Sequence, residues 1–227
     1  EHGTGSRTGF VAIKAVNDMC SNDSEHVSRL ENEYTISRQL ALQCTSVRLA
    51  LSMSEFDGFP AIYLEWAAGI TLSEWINLLH KELRLSPLHD NSHYTIMREC
   101  DMRILLTLAC TISKALAGIH CAGATHNNLT PSNIVVEDID GSSNKSVKLI
   151  GLGSASFLTD SLKTNSKIHE DLLSLGAVFF EMFTGKCPFK KEHENDFLSA
   201  EKENERKKLL SHNQLISMLT SKVPLPI

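Results

Sequence analysis

The stretch that decides the fold is Thr125 to Asn133, T-H-N-N-L-T-P-S-N, which is followed further along by Lys148 to Gly153, K-L-I-G-L-G. Between them, Ile134 to Glu137 and Val147 to Ile150 predict two short strands joined by a turn that contains Asp140-Gly141. Neither quoted stretch contains a carboxylate. An amide has no useful proton affinity near neutral pH, and a glycine offers a metal no side-chain ligand. The pattern therefore combines a turn-rich loop and a hairpin with side chains that are poor in acid–base and metal chemistry.

Length and composition predict one two-lobed domain or two small domains. The chain has 227 residues, of which 42% are apolar, so it can bury a substantial core. Its formal net charge is −5, and acidic and basic residues are mixed along the sequence. This distribution gives no reason to expect nucleic acid or an anionic membrane surface as a partner.

The cysteines and the apolar runs indicate a cytoplasmic location. Six cysteines lie far apart and lack the spacing of a zinc site, so we expect free thiols in a reducing compartment. We find no signal peptide, and the longest strongly apolar run, Leu172 to Phe183, is too short to span a bilayer. These features predict an intracellular soluble domain.

Turn signals and periodicity predict the remaining elements. The predicted strands are Phe10–Val16, Ser46–Ser54 and Phe59–Glu65. The predicted helices are Ser24–Gln43, Leu72–Leu83, Asp101–Cys121 and Leu172–Phe183. The last helix is apolar almost all round, which indicates burial on every side. Residues 84–100 predict an inserted loop, and residues 190–208 predict a solvated, charged segment.

Four motifs in order resemble the eukaryotic-type protein kinase family. They are Val11-Ala12-Ile13-Lys14, the loop at 125–133, the hairpin ending in Lys148-Leu149-Ile150, and Asp171 to Gly176 with Phe183 to Phe189. Their order and spacing match those of kinases across almost the whole chain. The resemblance implies an α+β, two-lobed kinase-like fold. A β-rich small lobe and hinge would cover residues 1–67, and a mainly helical large lobe would cover residues 68–227.

Two further segments, Gly69 to Ile76 and Pro131 to Val136, are similar to the kinase-like domains that head large multidomain signalling ATPases and hybrid sensor histidine kinases. Gly9 lies only five positions before Lys14, so a Gly-rich phosphate loop followed by a full strand does not fit there. We therefore expect the first two strands of the small lobe, and the last helices of the large lobe, to be missing from this chain.

The resemblance implies a nucleotide site in the small lobe. Lys14 would contact the phosphates and pair with Glu33 on the following helix, with Glu31 as the rival partner. Leu64 would form the back of the pocket, and Glu65 to Ala67 the hinge whose backbone meets adenine. From the residues alone, a solvent-facing strand lysine and a solvated helix carboxylate are the better explanation of the first pair. Strand and turn residues explain Leu64 and Glu65 to Ala67 equally well.

In the large lobe, the resemblance makes Asn133 the surviving, weak metal ligand. His126 would pack in the core of this lobe, and Asp171 would brace the loop from a helix. A turn amide and a helix N-cap are the alternative interpretations of Asn133 and Asp171.

Three positions depart from the family pattern. Asn128 stands at the position of the catalytic base, Gly151 at that of the metal carboxylate, and Thr130 at that of the lysine that neutralises the transferring phosphoryl group. The segment from Gly151 to Asp171 is also short and lacks Ala-Pro-Glu, so the loop that docks a substrate peptide is largely missing.

The chain is therefore predicted to be a pseudokinase that acts as a regulatory or interaction module in signalling. Its partners would be other protein domains, ATP would bind weakly, and magnesium scarcely at all. One alternative is a divergent Ser/Thr protein kinase that transfers phosphate from ATP and holds metal with Asn133 and either Glu137 or Asp138. Another is a truncated fragment without a function of its own.

Overall fold

The computed structural model describes residues 9–16, 24–85, 99–138, 145–158 and 161–188. The turn at Asp140-Gly141, most of the proposed inserted loop and the charged segment 190–208 lie outside these ranges. The described strands are β1 (Val11–Ala15), β2 (Ala50–Phe56), β3 (Phe59–Glu65), β4 (Ile70–Thr71), β5 (Ala124–Thr125), β6 (Ile134–Asp138), β7 (Lys145–Leu149) and β8 (Ser156–Phe157). The described α-helices are α1 (Ser24–Leu40), α2 (Leu72–Leu85), α3 (Glu99–Cys121) and α4 (Ser161–Thr184).

A small antiparallel sheet of order β1-β3-β2 forms the first lobe. The register places Val11 opposite Glu65 and Lys14 opposite Ile62, so the lysine strand runs beside the strand that leads into the hinge. One face of this sheet packs on α1, because alternate strand residues point to opposite faces. A compact apolar cluster fills the space between them: Val16, Leu30, Ala50, Ile62 and Leu64.

The second lobe is built around α3, whose buried stripe recurs every three or four residues, as a helix facing a core requires. The stripe consists of Leu105, Leu108, Ile112, Ala115, Leu116 and Ile119. The hairpin of β6 and β7 and the helices α2 and α4 pack around the same core. The mixture of small sheets and helices in two lobes confirms the predicted α+β, kinase-like fold class.

Two of the contacts that join the lobes involve the apolar core and the backbone. The first is α1, which places Leu30 in the small-lobe cluster and Ile36 and Leu40 in the large-lobe core. The second is a parallel bridge between Val47 and Leu149, in which Leu149 donates its N–H to the carbonyl of Ser46 at 2.6 Å. The segment before β2 is therefore attached to the β6–β7 hairpin.

The prediction of a helix buried on every side over Leu172–Phe183 is wrong within the part of the chain that the structure describes. The helix begins earlier, at Ser161, and Leu172 is 50% exposed. Its buried positions include a stripe formed by Asp171, Leu175, Val178 and Met182. An apolar composition all round gives no stripe of its own, so the sequence does not show which side faces the core.

One described helix, the Met102–Cys121 part of α3, is long and apolar enough to cross a membrane by length and composition. It exceeds Leu172–Phe183 in this respect, contrary to the expectation from the sequence. The buried stripe of α3 in the large-lobe core contributes to this apolarity, and 33% of the segment is buried.

Candidate functional site

Lys14 and Glu33 come together where β1 packs on α1. Lys14 Nζ donates to Glu33 Oε2 at 2.5 Å, and this carboxylate is buried while the lysine is half exposed. Glu31, the rival partner, lies on the exposed side of the helix. The helix period explains the choice, since residues two apart point about 200° apart.

Arg48 supplies a second cation to Glu33, which the sequence did not indicate. Arg48 Nη2 lies 3.4 Å from Glu33 Oε1, so each carboxylate oxygen faces one cation. Burial lowers the pKa of Arg48, and the nearby charges of Glu33 and Glu65 oppose that shift. A buried guanidinium needs a carboxylate beside it, so Glu33 is held by Arg48 as well as by Lys14.

The predicted hinge residues lie at the end of β3. Leu64 is fully buried in the small-lobe cluster, and Ala67 lies two residues beyond the strand. Glu65 accepts a hydrogen bond from the N–H of Leu49 at 3.2 Å and pairs with Lys148 Nζ at 3.1 Å. The Glu65 carboxylate thus joins the hinge to the hairpin of the large lobe.

Two aromatic side chains border the hinge. Trp66 and Phe10 lie with their ring centroids 6.1 Å apart, and both are largely exposed. The register of β1 beside β3 brings them together, since Val11 is opposite Glu65. The sequence analysis missed this pair because it depends on strand pairing.

Asp171 holds the loop that contains the degenerate catalytic positions. It is buried, and its carboxylate accepts hydrogen bonds from the N–H groups of His126 and Asn127, both at 2.8 Å. His120 Nε2 lies 2.9 Å from the same carboxylate. The predicted bracing of the loop by Asp171 is confirmed.

His126 is buried beneath this loop, as predicted. Its Nε2 donates to the carbonyl of Ile150 at 3.2 Å, and its Nδ1 faces the N–H of Asn128 at 3.4 Å. Burial lowers the pKa of His126, and the charge of Asp171 opposes that shift in part. Both hydrogen bonds require a neutral ring with one protonated nitrogen, in agreement with the lowered pKa.

Asn128 and Thr130 occupy the positions of the catalytic base and the phosphoryl-neutralising lysine. Asn128 is exposed, and its backbone carbonyl accepts a hydrogen bond from Asn133 Nδ2 at 2.9 Å. The carbonyl of Thr130 accepts a hydrogen bond from the N–H of Asn133 at 2.9 Å. Thr130 directly precedes a short 3-10 helix over Pro131–Asn133. The loop is ordered by amides and carries no ionised side chain at these positions.

Gly151 and Asn133 lie directly against each other. Gly151 has φ 74° and ψ 43°, a left-handed conformation that side chains other than those of Gly, Asn and Asp rarely adopt. A Cβ atom added to Gly151 would lie 2.5 Å from Asn133 Oδ1, closer than two such atoms can approach. The side-chain amide of Asn133 therefore occupies the space into which a residue at 151 would project.

This donor set does not fit magnesium. Magnesium in phosphate sites is bound through one or two carboxylates, and positions 128, 133 and 151 supply two amides and a glycine. The buried carboxylates nearby, Glu33 and Asp171, accept bonds from cations and N–H groups of the protein itself. No group of three or more His, Cys, Asp or Glu that could hold a metal occurs within the described ranges.

These residues form one continuous series of contacts. Glu33 adjoins Asn32, whose amide donates to the carbonyl of Gly153 at 3.0 Å. Gly151, two residues earlier, lies against Asn133, which is bonded to Asn128. The charge of Glu33 also raises the pKa of His126 in the loop, against the larger effect of burial, so the Lys14–Glu33 pair lies near the loop. The contacts of Asn32 and Arg48 were missed, since a polar residue beside a candidate site residue gives no pattern of its own.

No protein-family model matches the chain. Curated relatives include the probable serine/threonine-protein kinase PknB of Lactococcus lactis, 24% identical over 200 residues, and the serine/threonine-protein kinase PrkC of Bacillus subtilis, 27% identical over 197 residues. Each match covers 79% of this chain, but only 28% and 27% of the respective relative. The chain thus spans little more than a quarter of the length of these proteins.

Solved structures similar to this one include crystal structures of the kinase domain of Mycobacterium tuberculosis PknI. Two double mutants of that domain align with TM-scores of 0.52 and 0.53 at 19% and 18% sequence identity. The alignments cover 80% and 82% of this chain and 67% of each solved chain. At this identity the likeness shows the fold alone.

The two-lobed fold and the arrangement of Lys14, Glu33 and the Asp171-braced loop define a protein-kinase-like domain. The sequence matches agree with the fold: this chain is kinase-like, and the named relatives among its matches are bacterial serine/threonine kinases.

We expect Glu33 to contribute far more to stability than Lys14. Glu33→Gln leaves Arg48 buried beside a neutral amide and should lower the free energy of unfolding by about 3 kcal/mol. Lys14→Met removes a half-exposed partner and should cost less than about 1 kcal/mol. Urea denaturation measures both.

Glu31→Gln, an exposed carboxylate on the same helix, is the matched control and should change stability by less than about 0.5 kcal/mol. Equal losses for Lys14→Met and Glu33→Gln would contradict the role of Arg48.

We expect the free energy of unfolding to fall with pH below about 6.5 in part through His126. Its pKa is lowered in the folded chain, so below the ordinary value the unfolded chain binds a proton that the folded chain does not, and folding loses stability. Urea denaturation at several pH values between 7.5 and 5.5 measures the slope. His126→Phe should flatten it. An unchanged slope in His126→Phe would refute this assignment.

Proposed function

We propose that this chain is a catalytically impaired kinase-like domain, a pseudokinase, that acts as a regulatory or interaction module in signalling and binds ATP weakly or not at all. One observation carries the proposal. The base, phosphoryl-neutralising and metal positions, Asn128, Thr130 and Gly151, hold neutral residues, and Asn133 fills the space beside Gly151. We further propose other protein domains as its partners and the cytoplasm as its location, in line with the free thiols of Cys44, Cys110, Cys121 and Cys187.

The size of each missing contribution to the rate supports the loss of phosphoryl transfer. A positioned base alone contributes roughly 10²- to 10⁴-fold to a rate, so its loss is compatible with a weak enzyme. Phosphoryl transfer, however, depends almost entirely on positioning and on stabilising developing charge. Without the base, the cation and the metal carboxylate, Lys14 and the amide of Asn133 remain of the family's phosphate and metal residues, and Lys14 is paired with Glu33.

The rival function is a divergent Ser/Thr protein kinase, favoured by the Lys14–Glu33 pair and by the names of the relatives. It needs a replacement metal carboxylate beside Asn133, such as Glu137 or Asp138. Glu137 lies four residues along the extended strand β6, about 13 Å away at 3.3 Å per residue. There it accepts a hydrogen bond from Ser146 Oγ at 3.1 Å. This separation argues against a shared metal site.

We expect any ATP binding to be nearly indifferent to magnesium, because the residues at the metal position, Asn133 and Gly151, supply no carboxylate. A titration of ATP, once with magnesium and once with EDTA, read by thermal shift on the full chain, measures this. Lys14→Met should remove whatever affinity exists, and Lys81→Met, on the exposed surface of α2, should leave it unchanged. A magnesium-dependent gain in affinity of about tenfold or more, about 1.4 kcal/mol, would favour the divergent kinase.

We expect Asn128→Asp alone to produce no kinase activity. The change restores a base, but Gly151 still offers the metal no carboxylate. Transfer of radiolabelled phosphate from ATP to a general protein substrate measures activity. The control is Asn128→Asp combined with Lys14→Met. Phosphate transfer by the single variant clearly above this control would show that the base is the main defect and would overturn the proposal.

A further inference from the structure

The segment from Gly151 to Phe157 is hydrogen-bonded from two sides by asparagine amides. Asn32 on α1 donates through Nδ2 to the carbonyls of Gly153 and Ala155, at 3.0 and 2.9 Å. Asn127 on the loop donates through Nδ2 to the carbonyl of Ser154 at 2.9 Å and to Ser156 Oγ at 3.0 Å. Consecutive carbonyls of the segment are therefore bonded alternately to the helix and to the loop.

The helix also approaches this segment more closely than a side chain would permit. A Cβ atom added to Gly153 would lie 3.1 Å from the carbonyl oxygen of Arg29, which is three residues before Asn32 and on the same face of α1. Such a distance would push the helix away by a few tenths of an ångström. Glycine at this position therefore brings the Asn32 amide within reach of its two acceptors.

Asn127 is fixed in the orientation that donates. Its backbone is left-handed, with φ 59°, and its N–H is held by Asp171. Its Oδ1 is buried and has no hydrogen-bond partner within the described residues. A buried acceptor without a hydrogen bond destabilises a fold. The two hydrogen bonds that Asn127 Nδ2 donates offset this cost. Lys167 Nζ adds a third donor to the same region, 2.9 Å from Ser156 Oγ.

We propose that Asn32 and Asn127 are positioning residues that form an amide clamp around residues 151–157. The clamp ties α1 to the loop and thereby holds Glu33, the neighbour of Asn32, against Lys14 without nucleotide or phosphorylation. Both amides are neutral at every physiological pH, so the clamp stays closed. The clamp deepens the proposed function. It rests on that function in one respect, namely that a regulatory partner would bind the clamped form.

Hydrogen exchange of the full chain, measured by mass spectrometry without nucleotide, tests the clamp. Asn32→Ala should raise exchange about tenfold both in α1 and in residues 151–158, equivalent to about 1.4 kcal/mol. Asn127→Ala should raise it in residues 126–133 and 151–158. Asn32→Asp keeps the size of the side chain but places carboxylate oxygens, which cannot donate, against the carbonyls of Gly153 and Ala155. It should therefore raise exchange more than Asn32→Ala does. A residue that only fills space would tolerate this isosteric change. Asn77→Ala, on the exposed surface of α2, is the control and should change neither region.

Three results would overturn the clamp. One is faster exchange in α1 of Asn32→Ala with residues 151–158 unchanged. Another is an equal rise everywhere, including α3, which would mean a global loss of stability. The last is Asn32→Asp behaving like the wild type. If Asn32→Ala does not fold, Asn127→Ala decides, because unchanged exchange at 151–158 in that variant also refutes the clamp. The measurement contains no ATP, so failure of the clamp is distinguishable from failure of the proposed function.

Discussion

The buried carboxylate of Asp171 is the interaction on which the site depends. It accepts bonds from two consecutive backbone N–H groups, His126 and Asn127, and pairs with His120. An ionised carboxylate without donors would cost several kcal/mol in the interior, so the loop backbone must stay where its N–H groups point at Asp171. That requirement fixes the left-handed turn at Asn127, and the amides of the following residues take their places from it. All the donors belong to the protein, so the geometry exists without a ligand.

The charged side chains that the site keeps differ in role from those that it lacks. Glu33, Glu65 and Asp171, the carboxylates that hold protein groups in place, all have cationic or N–H partners. The positions that would face a metal or a transferring phosphoryl group are neutral. Phosphoryl transfer depends on positioning and on charge stabilisation. The site is ordered by Glu33, Glu65 and Asp171, whereas Asn128, Thr130 and Gly151 carry no ionised side chain.

The sequence predicted the local elements well where a short-range pattern exists. Strand β3 covers the predicted residues Phe59–Glu65, and the periodic stripe of α3 is the buried one. The pattern failed at Leu172, where uniform apolarity concealed which side faces the core. Other features depend on residues far apart in the chain: Asn32 and Gly153 are separated by 121 positions, and Arg48 meets Glu33 only because the turn after α1 reverses the chain. Periodicity reports nothing about such pairs, so the motif order predicted the Lys14–Glu33 pair and the bracing by Asp171 but not the contacts of Asn32 and Arg48.

In the proposed interaction module, a site that is held by the protein's own side chains would favour binding of a partner protein over binding of a nucleotide. A ligand stabilises a fold only by its differential affinity, which is small when the ordered form already dominates and few groups contact the ligand. A partner protein gains from the same order, because no free energy is spent on arranging the surface that it binds. The same contacts supply the order that the proposed module needs. Asn32 with Gly153, Arg48 with Glu33 and Asn127 with Ser154 each join residues that are distant in sequence, so this order arises from the folded chain as a whole.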